Sequence, residues 1–330
     1  MTLTAGLARL SLACLLGAGA EVLLWVGTPA HTPLEWGVRL LAYLVLACVV
    51  LDLAVRYRIR DAIDAMALLA LYALCVGAFV APQSTLTDLP RTLITRVLGG
   101  HGLVGLEMFG IWLAVMGAGS RRVGLVLLGA ASWNGFYWGV WMRWMPELGN
   151  LFPPLGAYEW LFVIPFIACL PALVVAGALR VAPRLPDTDA LLLPRVGWLG
   201  VLGWGFCLLI LRGLEGTLTT GALLPLGLLG VLSWAVLWFR RQEKGETLLD
   251  NVLASAPLAW RWWLVAAACF ALMSALAWAL PLAGLPFLPQ FNQLWLMEIG
   301  FGMVGALWYP AVAVAVAFRG VDEQLRKGEL

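Results

Sequence analysis

Polar and ionisable side chains are scarce in this 330-residue sequence, and the few that fall inside apolar runs are where chemistry could be done. Glu21, His101, Glu107, Asn134, Arg212 and Glu298 lie within such runs, and Arg143, Tyr158 and Glu159 lie at the margins of two others. In a bilayer a charged group at mid-depth costs roughly 2.5–3.5 kcal/mol, so intramembrane ionisable residues are functional candidates by default. A histidine and a glutamate can exchange protons, arginines can hold a phosphate, and intramembrane carboxylates can carry protons. His101 and Glu107 are six residues apart, about 240° around a helix, so they do not share a face. Any partnership between such groups must be made across helices.

The elements that would position them are membrane helices. The chain is 62% hydrophobic and only 12% charged, with a mean hydropathy of +0.90. Soluble domains average about 45–50% apolar and about 25% charged residues. Ten apolar runs stand out: 7–27, 37–55, 62–81, 98–118, 122–142, 157–179, 195–213, 219–239, 262–283 and 293–318. Their lengths suit helices, whereas barrel strands would be about ten residues of alternating polarity. Of the 21 lysines and arginines, five (Arg39, Arg91, Arg96, Arg143 and Arg212) fall on one side of a ten-helix topology and sixteen on the other. The positive-inside rule then places both termini in the cytoplasm. The expected fold is therefore all-α: a polytopic protein of the cytoplasmic (inner) membrane with about ten transmembrane helices. The N-terminal run continues to Gly27 and has the length of a retained helix rather than a signal peptide.

Within this frame the polar residues are unevenly placed. Glu21, His101, Asn134, Tyr158, Glu159, Arg212 and Glu298 fall in the outer half, and Arg143 lies at an outer helix end. Glu107 is near mid-depth. Asp52 can pair with Arg56 one turn away. The bias points to one polar site open to the outside. The glycines at 99, 100, 102 and 105 leave little bulk around His101, so backbone or a lipid headgroup can approach. Two outer connections, 81–96 and 143–160, are long enough to cover a pocket. The inner segment 240–263 carries Leu248, Leu249, Val252 and Leu253 at helical spacing, as for a helix along the interface. Of the 18 tryptophans, Trp25, Trp36, Trp138, Trp141, Trp144, Trp160 and Trp295 fall at outer helix ends, where an aromatic belt is expected.

Several classes of chemistry find no support. Two histidines, His31 and His101, do not supply paired haem ligands, and no HExxH, CxxC or Walker sequence occurs. No metal or other cofactor is expected. The six cysteines read as small hydrophobes. Basic residues are dispersed among short inner loops, which gives no case for nucleic acid.

From the second helix to the eighth, the order of features resembles the prolipoprotein diacylglyceryl transferase family. "GGHGLVG" (99–105) is similar to the family's His-Gly-Gly at an external helix end, and "GAASWNGFYWG" (129–139) to its Gly-Arg-x-Gly-Asn-Phe. "PPLGAYEW" (153–160) looks like its Pro-Ser-Gln-x-Tyr-Glu. "GWGFCLLILRGLEG" (203–216) and the arginine-terminated run at 221–241 follow in the same order. Ser132 stands where the family has arginine, and only Arg212 and Glu215 approximate the Arg and Glu of its seventh helix. The resemblance implies a division into 1–36, an extra first helix; 37–241, a seven-helix transferase-like core; and 242–330, an interfacial helix and two further spans. It also implies roles. His101 and Glu159 would be acid and base, Arg143 and Arg212 would hold a phosphate, and Asn134 and Tyr158 would position the acyl end.

Three functions compete on these residues. The first is lipid handling at an outward pocket, with membrane lipids as partners. The second is a non-catalytic subunit of a membrane complex, with other membrane subunits as partners. The third is a small proton-coupled transporter using Glu21, Glu107 and Glu298. They differ in whether the outer-half polar residues converge on a cleft, scatter into separate bonds between helices, or line a path through the protein.

Overall fold

A computed structural model describes residues 3–24, 33–117, 119–141, 162–181, 185, 187–241, 245–254, 256–280 and 293–327. Among the described residues the secondary structure is helical. The helices are α1 (Leu3–Gly17), α2 (Pro33–Arg56), α3 (Ala62–Cys75), the short α4 (Pro82–Thr85), α5 (Leu103–Met116) and α6 (Arg121–Trp141). They continue as α7 (Ile164–Val181), α8 (Arg195–Leu214), α9 (Thr220–Arg240), α10 (Leu248–Ala254), α11 (Trp260–Ala279) and α12 (Gln293–Lys327). Eight stretches are long and apolar enough to cross a membrane: 3–23, 34–56, 62–80, 93–116, 188–214, 221–240, 260–279 and 298–318. Eight of the ten apolar runs overlap these stretches; the runs 122–142 and 157–179 do not.

The outside of this bundle is incompatible with water. On α8, Val196, Leu199, Leu202 and Phe206 are each more than 60% exposed, and α9 and α11 show the same pattern. Contiguous apolar surface on that scale has no place on a soluble monomer. The protein is a polytopic, all-helical membrane protein.

The largest packed cluster inside is built mainly from α1, α2, α3, α5 and α9, with smaller clusters beside it. Leu12, Leu16, Leu51, Leu68, Leu69 and Val76 have no exposed surface, and α1 contributes as centrally as its neighbours. Indole nitrogens fasten the cluster to backbone. Trp112 donates to the Ala8 carbonyl at 2.9 Å and Trp308 to that of Met66 at 3.1 Å. A second seam joins α6 to α11, which run in the same direction. Gly135 and Gly139 lie against the carbonyls of Phe270 and Ser274, and the Ser274 hydroxyl donates to the Gly135 carbonyl at 3.0 Å. Small residues let membrane helices meet backbone to backbone, where dispersion and polar contacts replace the missing hydrophobic drive.

Several membrane helices change pitch near the same end. Ala18–Leu23 prolongs α1 as a π-helical segment, Val76–Val80 prolongs α3, and Leu93–Gly102 leads into α5. The wider turns are visible in the i to i+5 bonds Leu24 N–H to Gly19 O (3.1 Å) and Ala81 N–H to Val76 O (2.9 Å). Such turns are rare and recur at functional sites.

Polar contacts divide between the two ends of the bundle. At one end Arg9 donates to the carbonyls of Ala190 and Leu192 at 3.3 and 3.2 Å. Asp52 accepts from Leu193 N–H at 2.6 Å and pairs with Arg56 at 2.5 Å. Arg240 pairs there with Asp61 at 2.9 Å and Asp64 at 2.7 Å, and Arg60 donates to the Arg240 carbonyl. The helix α10 hangs at this end through Leu248 N–H to Ile59 O at 2.8 Å, with Leu249 and Val252 buried. At the opposite end Glu21 pairs with Arg39, Arg96 donates to Ser84 O at 2.8 Å, and Arg212 donates to Phe79 O at 3.0 Å.

Candidate functional site

Glu21 is the most fully engaged of the expected site residues. It lies in the first π-helical segment, 7% exposed. Arg39 Nη1 on α2 donates to both carboxylate oxygens, at 2.8 and 3.0 Å, and the Tyr43 hydroxyl donates to Oε1 at 2.7 Å. Three hydrogen bonds from two donors and one full countercharge make a carboxylate tolerable at that depth. Neither Arg39 nor Tyr43 was singled out from sequence as a partner. The usable signal was depth: Glu21 lies near the end of one run and Arg39 near the start of the next, so opposite charges are level on adjacent helices.

His101 is at the same level. A Cβ on Gly19 would meet Val104 at 2.6 Å, and one on Gly100 would meet Leu24 at 3.7 Å, which brackets Glu21 between the depths of residues 100 and 104. Arg39 acts electrostatically on His101. The expectation of an interfacial, open histidine is corrected. His101 lies inside a continuous helix, only 1% exposed, and neither ring nitrogen has a hydrogen-bond partner among the described residues. Its glycine neighbours serve packing rather than access. The place of a Cβ on Gly99 is taken by the Phe301 carbonyl of α12, that on Gly102 by Trp308, and that on Gly105 by Tyr72.

The other polar residues form separate links. Asn134 Nδ2 on α6 donates to Glu107 Oε2 on α5 at 2.9 Å, and also to the Ala130 carbonyl one turn back, at 2.9 Å. Arg212 Nε reaches the Phe79 carbonyl in the second π-helical segment, and its Nη1 pairs with Glu215 at 2.6 Å. Glu298 is half-buried on α12 and interacts electrostatically with Tyr137. Arg143, Tyr158 and Glu159 lie outside the described residues. No protein-family model matches the chain. No curated protein and no solved structure is similar to it either.

The geometry brings together Glu21, Arg39, Tyr43 and, at their level, His101. Glu107 and Asn134 form a second locus, and Arg212 and Glu215 a third. Among the described residues no group of three or more His, Cys, Asp or Glu side chains could hold a metal ion. The aromatic belt also needs correction at one position. Trp138 is fully buried among Val22, Leu23, Phe162, Ile164, Phe270 and Trp278, so it is a core residue, whereas Trp36 is 40% exposed. The other end holds buried polar groups that sequence reasoning passed over. Asp64 and Arg240 are 1% and 3% exposed and joined to each other, and Arg9 is 2% exposed. Their signal was the spacing "RIRDAID" at one helix start and "FRR" at another helix end.

Proposed function

We propose that this protein is a non-catalytic component of the cytoplasmic membrane. It crosses ten times with both termini in the cytoplasm, and its intramembrane polar residues hold helices in register. One observation carries this: Glu21, Glu107 and Arg212, three of the charged intramembrane candidates, are engaged by other groups of the protein. Arg212 is held by Phe79 and Glu215, Glu107 by Asn134, and Glu21 by Arg39 and Tyr43. The topology draws support from the sorting of contacts. Arg9, Asp52, Asp61 and Arg240 cluster at the end that carries most of the basic residues, as the positive-inside rule requires. The test is a transfer assay with labelled phosphatidylglycerol and a cysteine peptide, on purified protein in vesicles. No transfer above background is expected. Transfer that His101→Ala abolishes while thermal stability is unchanged would overturn the reading.

Lipid handling is the second reading, and His101 favours it. A buried imidazole with two unbonded nitrogens calls for an explanation, and a bound group is one. On that reading His101→Ala loses lipid binding and keeps its stability.

A further inference from the structure

We propose that the outer face of the Arg56–Asp61 turn and the last two turns of α9 form a binding site for the phosphate of an anionic phospholipid. Trp234, Trp238, Arg241 and Tyr57 frame it. Two adjacent arginines here have opposite surroundings. The Arg240 side chain is 4% exposed and points inward to Asp61 and Asp64. Arg241 turns the other way, and its guanidinium carbon sits 3.3 Å above the centre of the Trp238 ring. An aromatic face holds a cation without using its N–H groups, which leaves the planar fork free for a phosphate. No carboxylate pairs with Arg241 among the described residues.

The ledge beneath this cation is built and exposed. The rings of Trp234 and Trp238, one helical turn apart, lie 5.2 Å from each other at 39°, and the two residues are 43% and 40% exposed. Trp234 Nε1 donates to the Tyr57 hydroxyl at 2.7 Å, so the phenolic proton remains available to another acceptor. Arg58, the next residue, has φ 54°, the one positive value among the described non-glycine residues. Its side chain is exposed and donates to the Gly245 carbonyl at 3.2 Å. A left-handed arginine is a local cost that persists where the surroundings hold it. Tryptophan and arginine in the last turns of a span that ends at Arg240 lie at headgroup depth. The indoles then face acyl and glycerol groups, and the guanidinium faces phosphate.

Native mass spectrometry of the detergent-purified protein tests this with palmitoyl-oleoyl phosphatidylglycerol and phosphatidylcholine as probes. One phosphatidylglycerol is expected to be retained in preference to phosphatidylcholine. Arg241→Gln is expected to lower its occupancy about fivefold, the ~1 kcal/mol that one basic residue contributes near a membrane surface. Trp238→Leu is expected to lower it as well. Arg122→Gln, which removes the same charge from another exposed position at this end, is expected to leave it unchanged. Equal retention of the two lipids, or indifference to both ledge substitutions, overturns the proposal. Displacement of the lipid by millimolar inorganic phosphate also overturns it, by making the site one for a free anion.

Discussion

Glu21 accepts three hydrogen bonds in a setting where an unpaired carboxylate would be untenable. Removing one partner of a buried pair costs about 3–5 kcal/mol, because the other charge is left behind. Glu21→Gln and Arg39→Met are each expected to destabilise the protein on that scale. The double variant should lose less than the sum of the two, read by unfolding in mixed micelles; additive losses would mean that the pair is not coupled. His101 behaves in the opposite sense. Two unbonded, buried ring nitrogens are a liability that an apolar side chain of similar size lacks. His101→Leu is therefore expected to keep or raise the melting temperature. A drop comparable to that of Glu21→Gln would show that the ring has a partner essential to the fold.

Helix contacts here depend on close approach as much as on polar bonds. A Cβ on Gly305 would collide with the Ile94 carbonyl, and one on Gly99 with that of Phe301, so α12 lies backbone to backbone against the third π-helical segment. Gly305→Ala is expected to cost about 1–3 kcal/mol as overpacking. Asn134→Ala, which deletes the α5–α6 link, is expected to cost only about 0.6–1.7 kcal/mol, the range of interhelical hydrogen bonds in membranes. The reverse ranking, measured by the same unfolding assay, would mean that the polar link dominates. Eight of the ten apolar runs fall on helices able to cross a membrane, because span length is a local property of composition. Partners were not legible in the same way. Whether Asn134 meets Glu107, or Arg212 meets Phe79, depends on which helices are neighbours, and no periodicity encodes that. The π-helical segments escaped for a related reason. Gly19, Gly77 and Gly99 within them lie against residues distant in the chain, Val104, Val97 and Phe301. Trp138 misled because position near a helix end does not say which face a side chain occupies.

At the scale of the whole molecule, the two ends differ in kind. The basic end is a collar of ion pairs and loop bonds, from Arg9 and Asp52 to Asp64 and Arg240. The opposite end holds the π-helical segments, the Glu21–Arg39 pair and His101. On the proposed topology this polarity spans the membrane, with the basic end in the cytoplasm and ten crossings between the ends. Cysteine accessibility in intact cells tests it most directly, in a background where Cys14, Cys48, Cys75, Cys169, Cys207 and Cys269 are replaced. Asp88→Cys and Asn150→Cys are expected to react with an impermeant maleimide from outside, while Glu246→Cys and Asp250→Cys react only after the membrane is opened. Labelling of position 246 or 250 in intact cells would invert the molecule, and protection of position 150 would remove two of the ten crossings.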